Sequence, residues 1–247
     1  MKAALFLSGQ PRAAVWNASR INDYLIKNNN IDVFLHAWYD PKDLNFYQRD
    51  PNHFGKSADI DLDKRLIEIY NPKKYIFDVP KYWFNNNMYC TEENIKQCFS
   101  YGLNDPKGID YFSRHIVNSS HSQWYSNFKV NTLCEEYCIE NNIKYDVIIK
   151  LRYDVSPTKH IDLDSITINT NTIYYQDLNQ PLDMVSDWFA MGTQPTMSKW
   201  CLLYFFIEDM FYKSMKKHQI WCNELLVKEY LQHQNINKEK IDWGVTF

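Results

Sequence analysis

The chain has 247 residues, with 27 Lys and Arg against 30 Asp and Glu and a formal net charge of -3, a balance that gives no basis for electrostatic capture of a nucleic-acid backbone. No stretch approaches the roughly 20 apolar residues that span a bilayer; the longest run, Trp200 to Ile207, has eight and leads straight into Glu208-Asp209. The length fits one α/β domain, or a compact pair, with a large core. The six cysteines form no Cys-x-x-Cys pair, so reduced thiols in a cytoplasmic protein are expected rather than a zinc cage or disulfide framework.

Lys2 to Ser8 is a continuously apolar run closed by Gly9-Gln10-Pro11, the pattern of a strand buried on both faces of a parallel sheet. It has the look of a short signal peptide but passes directly into the fold. Val15 to Lys27 has helical spacing and ends at three asparagines, and Ile31 to Trp38 is a second apolar strand. Strand, helix and strand in this order predict a βαβ unit and a Rossmann-like start. Tyr39 to about Ser57, rich in Asp, Pro, Asn and Tyr, reads as a long loop over the carboxyl end of the sheet. A helix follows at Asp61 to Tyr70, then a strand at Tyr75 to Val79. From Tyr82 to about Gly108 the pattern is weak, with a short helix near Glu92 to Phe99.

Ser119 to Asn141 is the clearest helix. It precedes the β-branched strand Tyr145 to Leu151, which ends in Arg152-Tyr153-Asp154. Further strands are expected at Thr172 to Gln176 and Trp188 to Met191, and helices at Thr196 to about Lys213 and Trp221 to about Gln232. No internal repeat is present. The expected fold class is α/β, a Rossmann-like mixed sheet flanked by helices, in a single domain 1–247 with an amino-terminal half of about 1–155 and a carboxyl-terminal half of about 156–247.

A carboxylate just past the end of a buried central strand reaches solvent while its backbone stays rigid, which suits a divalent metal binding a diphosphate. Asp154 is so placed, and the bland alternative is a turn cap ahead of Ser156-Pro157. Five stretches, Phe6 to Arg12, Val33 to Trp38, Ser122 to Ser126, Ile148 to Asp154 and Asp187 to Gly192, together resemble a GT-A-like glycosyltransferase group of bacterial polysaccharide clusters and large DNA viruses. That resemblance implies a GT-A-like fold, and a Leloir transferase of polysaccharide biosynthesis that moves sugar from a nucleoside-diphosphate sugar to a hydroxyl of a glycan or glycoconjugate. It implies Mn2+ or Mg2+ held by Asp154. Where the group carries Asp-x-Asp, this chain has Arg152-Tyr153-Asp154, so Arg152 is an alternative, bidentate partner for the diphosphate.

By the same resemblance Ser8, Gly9, Gln10 and Arg12 line the nucleotide pocket, with Gly9 permitting close backbone approach and Arg12 contacting base or phosphate. An ordinary tight turn is the competing reading. His36 and Trp124 read as core residues in preference to donor contacts. If the reaction inverts the anomeric centre, a general base is needed, and two carboxylates compete: Asp187, before a short apolar strand, and Glu224, at a helix start that also suits a plain first-turn acid. Asp177 is a more distant candidate for the base, and Asp242 near the carboxyl terminus is a candidate to close over the donor. A non-catalytic nucleotide-sugar or carbohydrate-binding protein on the same scaffold is the alternative function. The Walker, nucleophile-elbow, dinucleotide and His-Glu-x-x-His signatures do not occur.

Overall fold

In the computed structural model, which describes residues 1–42, 61–81, 83, 108–176, 183–218 and 222–246, the amino-terminal apolar run is strand β1 (Lys2–Gly9), buried along almost its whole length. Helix α1 (Ala14–Ile21) follows and widens into one π-helical segment over Asn22–Ile26. The extra residue carries Leu25 into the core while Trp16 stays 80% exposed. The chain continues through β2 (Asn30–Trp38), α2 (Leu62–Tyr70) and β3 (Lys74–Asp78). Helix α3 (Gly108–Asn141) begins well before the expected Ser119. The expected helix near Glu92 and most of the loops at 39–57 and 82–108 lie outside the described residues.

The second half contributes β4 (Val147–Leu151), a two-residue β5 (Ser156–Pro157), β6 (Thr172–Gln176) and β7 (Phe189–Gly192). The single helix expected at 196–213 is two, α4 (Gln194–Cys201) and α5 (Leu203–His218). The break at Leu202 lets Trp200, Cys201 and Leu203 all be buried, which one straight helical stripe does not allow. Helix α6 (Asn223–His233), β8 (Asn237–Ile241) and β9 (Val245–Thr246) complete the chain.

One seven-stranded sheet has the order β3-β2-β1-β4-β7-β6-β8. β7 runs against both its neighbours, and every other pairing in the sheet is parallel. The fold is therefore a mixed α/β sheet flanked by helices. Alternation along the strands divides the core in two. Ala4, Phe6 and Ile148 face α3 and the carboxyl-terminal helices, and Leu5, Leu7, Ile149 and Leu151 face α1 and α2. Each large side chain so buried contributes about 1.5–3 kcal/mol.

The chain winds outward from β1 through β2 to β3 and then returns to the other side of β1 as β4. The carboxyl ends of β1 and β4 therefore flank a topological switch point, the place where open α/β sheets hold ligands. Because β7 is antiparallel to β4, with Leu151 paired to Phe189, it is the start of β7 that lies at this edge. Asp187 arrives there for that reason.

Candidate active site

At the end of β1, Gly9 has φ 111°, a conformation that favours glycine, and it turns the chain away from the sheet. Arg12 Nε donates to Gln10 Oε1 at 2.6 Å, so these two half-buried side chains form one polar unit beyond the strand. Ser8 is placed differently from a pocket-lining residue. It is 2% exposed, and its hydroxyl donates at 2.7 Å to Asn127 Oδ1 on α3, one layer beneath the turn.

At the end of β4 the expectation of an exposed carboxylate is corrected. Asp154 is buried, 7% exposed, and both its oxygens accept from Arg152: Nε to Oδ1 at 2.9 Å and Nη2 to Oδ2 at 2.7 Å. The two residues are i and i+2 across a turn, so the guanidinium that stands where the resembling group has its first aspartate closes onto the second. The Arg152 side chain keeps 27% exposure, and the carboxylates of Asp154, Asp187 and Glu224 all hold its charge in place.

Two residues earlier, Lys150 is wholly buried. Its Nζ donates to the backbone carbonyl of Asp187 at 2.5 Å and lies 5.7 Å from the centre of the Trp200 ring. Burial pushes its ammonium down to about 7, since desolvation disfavours the charged form.

Asp187 is 3% exposed. Gln123 on α3 donates through Nε2 to its carbonyl at 2.9 Å and to its Oδ2 at 2.8 Å. The same Gln123 accepts through Oε1 from Asn223 Nδ2 at 3.4 Å, and Val185 N–H donates to the Glu224 carbonyl at 3.3 Å. The entry to β7 and the first turn of α6 are thereby tied together, which brings Asp187 and Glu224 into one cluster. Burial first, and then the Asp187 charge, raise the Glu224 carboxyl to about 7.

No protein-family model matches the chain and no curated protein does. Among solved structures it is similar to the glycosyltransferase GlyE of Streptococcus pneumoniae TIGR4, with TM-score 0.45 and 8% identity over 98% of this chain and 46% of that one. The apo form of GlyE aligns with TM-score 0.40 and 10% identity over 97% and 45%. The chain thus spans a little under half the length of either structure.

The donor set at Asp154 does not fit a divalent cation, because Arg152 takes up both oxygens. Among the described residues no three His, Cys, Asp or Glu side chains group closely enough to hold one. What the edge offers an anion is a guanidinium.

The structure brings Arg152, Asp154, Asp187 and Glu224 together and leaves Asp242 outside, 80% exposed and 3.7 Å from Lys159. Asp177 lies outside the described residues. Sequence reasoning gave no role to Lys150 or Asn127, and placed Gln123 only within a stretch that could touch the donor, not as a partner of Asp187. Lys150 had a signal, a lone charge inside the otherwise apolar run Val147 to Leu151; Gln123 and Asn127 look like any polar residues of a helix.

His36 belongs to a separate network. Ser126 Oγ lies 2.6 Å from His36 Nδ1, and His36 Nε2 lies 3.2 Å from Asp78 Oδ2. The order suggests a nucleophile triad, but the hydroxyl is the enclosed end: Ser126 is 0% exposed, while the Asp78 side chain is 28% exposed. Burial also lowers the pKa of His36. The trio serves packing of α3 on β2.

Proposed function

We propose that the chain is a glycosyltransferase that moves a sugar from a nucleoside-diphosphate sugar to a hydroxyl of a glycan or glycoconjugate. One observation carries the reading. At the sheet's switch point a strand-end guanidinium, Arg152, meets two carboxylates from distant segments, and one of them, Glu224, has its proton affinity raised to about 7. A base poised near neutral pH suits removal of a proton from an acceptor hydroxyl. The resemblance of the five sequence stretches to the GT-A-like group supports the same reading.

In this mechanism the diphosphate lies against Arg152, with Arg12 beside the nucleotide. Glu224 accepts the proton of the acceptor hydroxyl as its oxygen attacks the anomeric carbon. The bond from that carbon to the diphosphate oxygen breaks, and its electron pair stays on the departing nucleoside diphosphate. Arg152 stabilises that charge from a fixed position, the kind of contribution that preorganised donors make in a partly dehydrated site. Lys150 and Gln123 hold Asp187 at the rim, where its carboxylate keeps Glu224 basic.

The lock between Arg152 and Asp154 favours a second reading, a nucleotide-sugar-binding protein without transfer. The two part on Glu224→Gln. Release of the free nucleotide from UDP-, GDP-, CMP- and dTDP-sugars is measured with glycan acceptors, with and without manganese or magnesium. The transferase reading requires turnover in the wild type that falls by about 10²-fold or more in the variant while donor still binds. Donor binding with no turnover by the wild type under any of these conditions would leave the binding-protein reading standing.

A further inference from the structure

Asparagine is among the weaker helix formers and is seldom buried without a partner, yet Asn17, in the first turn of α1, is 4% exposed. Its side chain reaches out of the helix. Nδ2 donates at 3.0 Å to the carbonyl oxygen of Tyr153, the middle residue of Arg152-Tyr153-Asp154. The main-chain N–H of Asn17 donates at 2.9 Å to the Ala13 carbonyl, directly after the turn that carries Gly9, Gln10 and Arg12. One residue thus joins the two arginine-bearing turns at the carboxyl edge of the sheet.

The point it grips is the part of the Arg152 turn most free to move. Val155 N–H donates to the Arg152 carbonyl at 3.2 Å, so residues 152–155 form a β-turn with Tyr153 and Asp154 at its corners. Rotating the peptide between two corner residues exchanges a type I turn for a type II turn and gives the second corner a positive φ. Asp154 does not have positive φ, but aspartate tolerates that region better than most residues, and turn chemistry alone does not forbid the rotation. The Tyr153 ring does not forbid it either. It is wholly buried, with its hydroxyl donating to the His36 carbonyl at 3.3 Å, and it can stay in place while the peptide beyond it turns. The Tyr153 carbonyl belongs to that peptide, so rotation breaks the bond from Asn17. It also re-aims Asp154, and with it the Arg152 guanidinium that both Asp154 oxygens hold.

We propose that Asn17 is a positioning residue for the diphosphate of the nucleotide sugar. It holds the peptide between Tyr153 and Asp154 in the orientation that presents Arg152 at the switch point, and it ties that orientation to the turn bearing Arg12. The assignment rests on the transferase reading, in which the diphosphate lies against Arg152. Asn17 acts through Arg152 rather than on the ligand.

Calorimetric titration with UDP, GDP and dTDP compares the wild type, Asn17→Ala, Arg152→Gln and the double variant, each first shown to unfold cooperatively in urea. Glutamine at 152 leaves Asp154 a hydrogen-bond donor. If Asn17→Ala does not fold, Asn17→Ser, which also withdraws the amide, takes its place in the cycle. Asn17→Ala is expected to bind the preferred nucleoside diphosphate about five- to tenfold more weakly than the wild type. The same substitution made in Arg152→Gln is expected to cost less than about twofold, the non-additivity of two residues that act through one contact. Full affinity in Asn17→Ala, or an equal loss in both backgrounds, overturns the positioning role while leaving the transferase reading intact. Failure of the wild type to bind any of the three nucleotides overturns both.

Discussion

Replacing Glu224 by Gln isolates the energetic cost of the charge that the site imposes on itself. The Glu224 carboxyl titrates at about 7 in the folded protein against an ordinary value of 4.5. Its folded pKa is raised, so between pH 4.5 and 7 the folded state binds more protons than the unfolded state, and stability falls as pH rises through that window. The difference, 7 minus 4.5, at about 1.4 kcal/mol per pH unit amounts to about 3 kcal/mol, and partial exposure of the side chain trims it to about 2. Glutamine keeps the shape and hydrogen-bonding size of the protonated acid and never ionises.

Other titrating groups act alike in both proteins and cancel from the difference. Glu224→Gln is therefore expected to match the wild type near pH 4.5 and to exceed its stability by about 2 kcal/mol at pH 8, a gain of about 4–8 °C in Tm for a chain of this size. Urea unfolding of both proteins at pH 5, 6, 7 and 8 reads the gap directly. A gap that does not change with pH, or a wild type that is the more stable at pH 8, refutes the argument that Glu224 is held in a site that resists its charge.

The same carboxylate predicts that kcat/KM rises with pH through about 7, because the base must be ionised, and that the Gln variant lacks this rise. Asp154→Asn strands a partly buried guanidinium; with Arg152 still 27% exposed, the loss is about 2–3 kcal/mol, below the 3–5 kcal/mol of fully buried pairs, and is read by urea denaturation. Arg152→Lys is expected to weaken nucleoside-diphosphate binding about tenfold in titration calorimetry, since an ammonium does not reproduce the planar two-pronged donor. Gly192→Ala places a Cβ 2.9 Å from the Thr172 carbonyl oxygen, where β7 meets β6, and about 1–3 kcal/mol of stability is expected to go, with a matching fall in Tm.

The central strands were legible because their burial is recorded locally. Lys2 to Ser8, Ile31 to Trp38 and Thr172 to Gln176 are runs with no polar face, and each forms a strand within a residue or two of its expected limits. β8 was not legible. Asn237-Lys238-Glu239-Lys240-Ile241 has no apolar face, and it is held as an edge strand by pairing with β6 rather than by its own side chains. The start of α3 was also missed, and within the expected part of the helix Ser120, Ser126, Asn127 and Asn131 are buried. Polar residues on a helix read as a solvent face, whereas here they face other polar groups inside.

By itself the sequence determined that Gly9 and Arg12, and Arg152 and Asp154, follow the ends of two buried strands, since strand length and turn residues set where each chain segment emerges. It also supplied Asp187 and Glu224 as candidate bases with no means of relating them. Only the tertiary structure decided that they share one cluster, through the antiparallel course of β7 and the bridge from Gln123 to Asp187 and Asn223. The pairing of Arg152 with Asp154 and the burial of Lys150 were decided there too. Periodicity records how far each residue lies from water. Proton affinity depends on which charges from elsewhere in the chain lie within a few ångströms, and that is fixed only when the sheet closes around them.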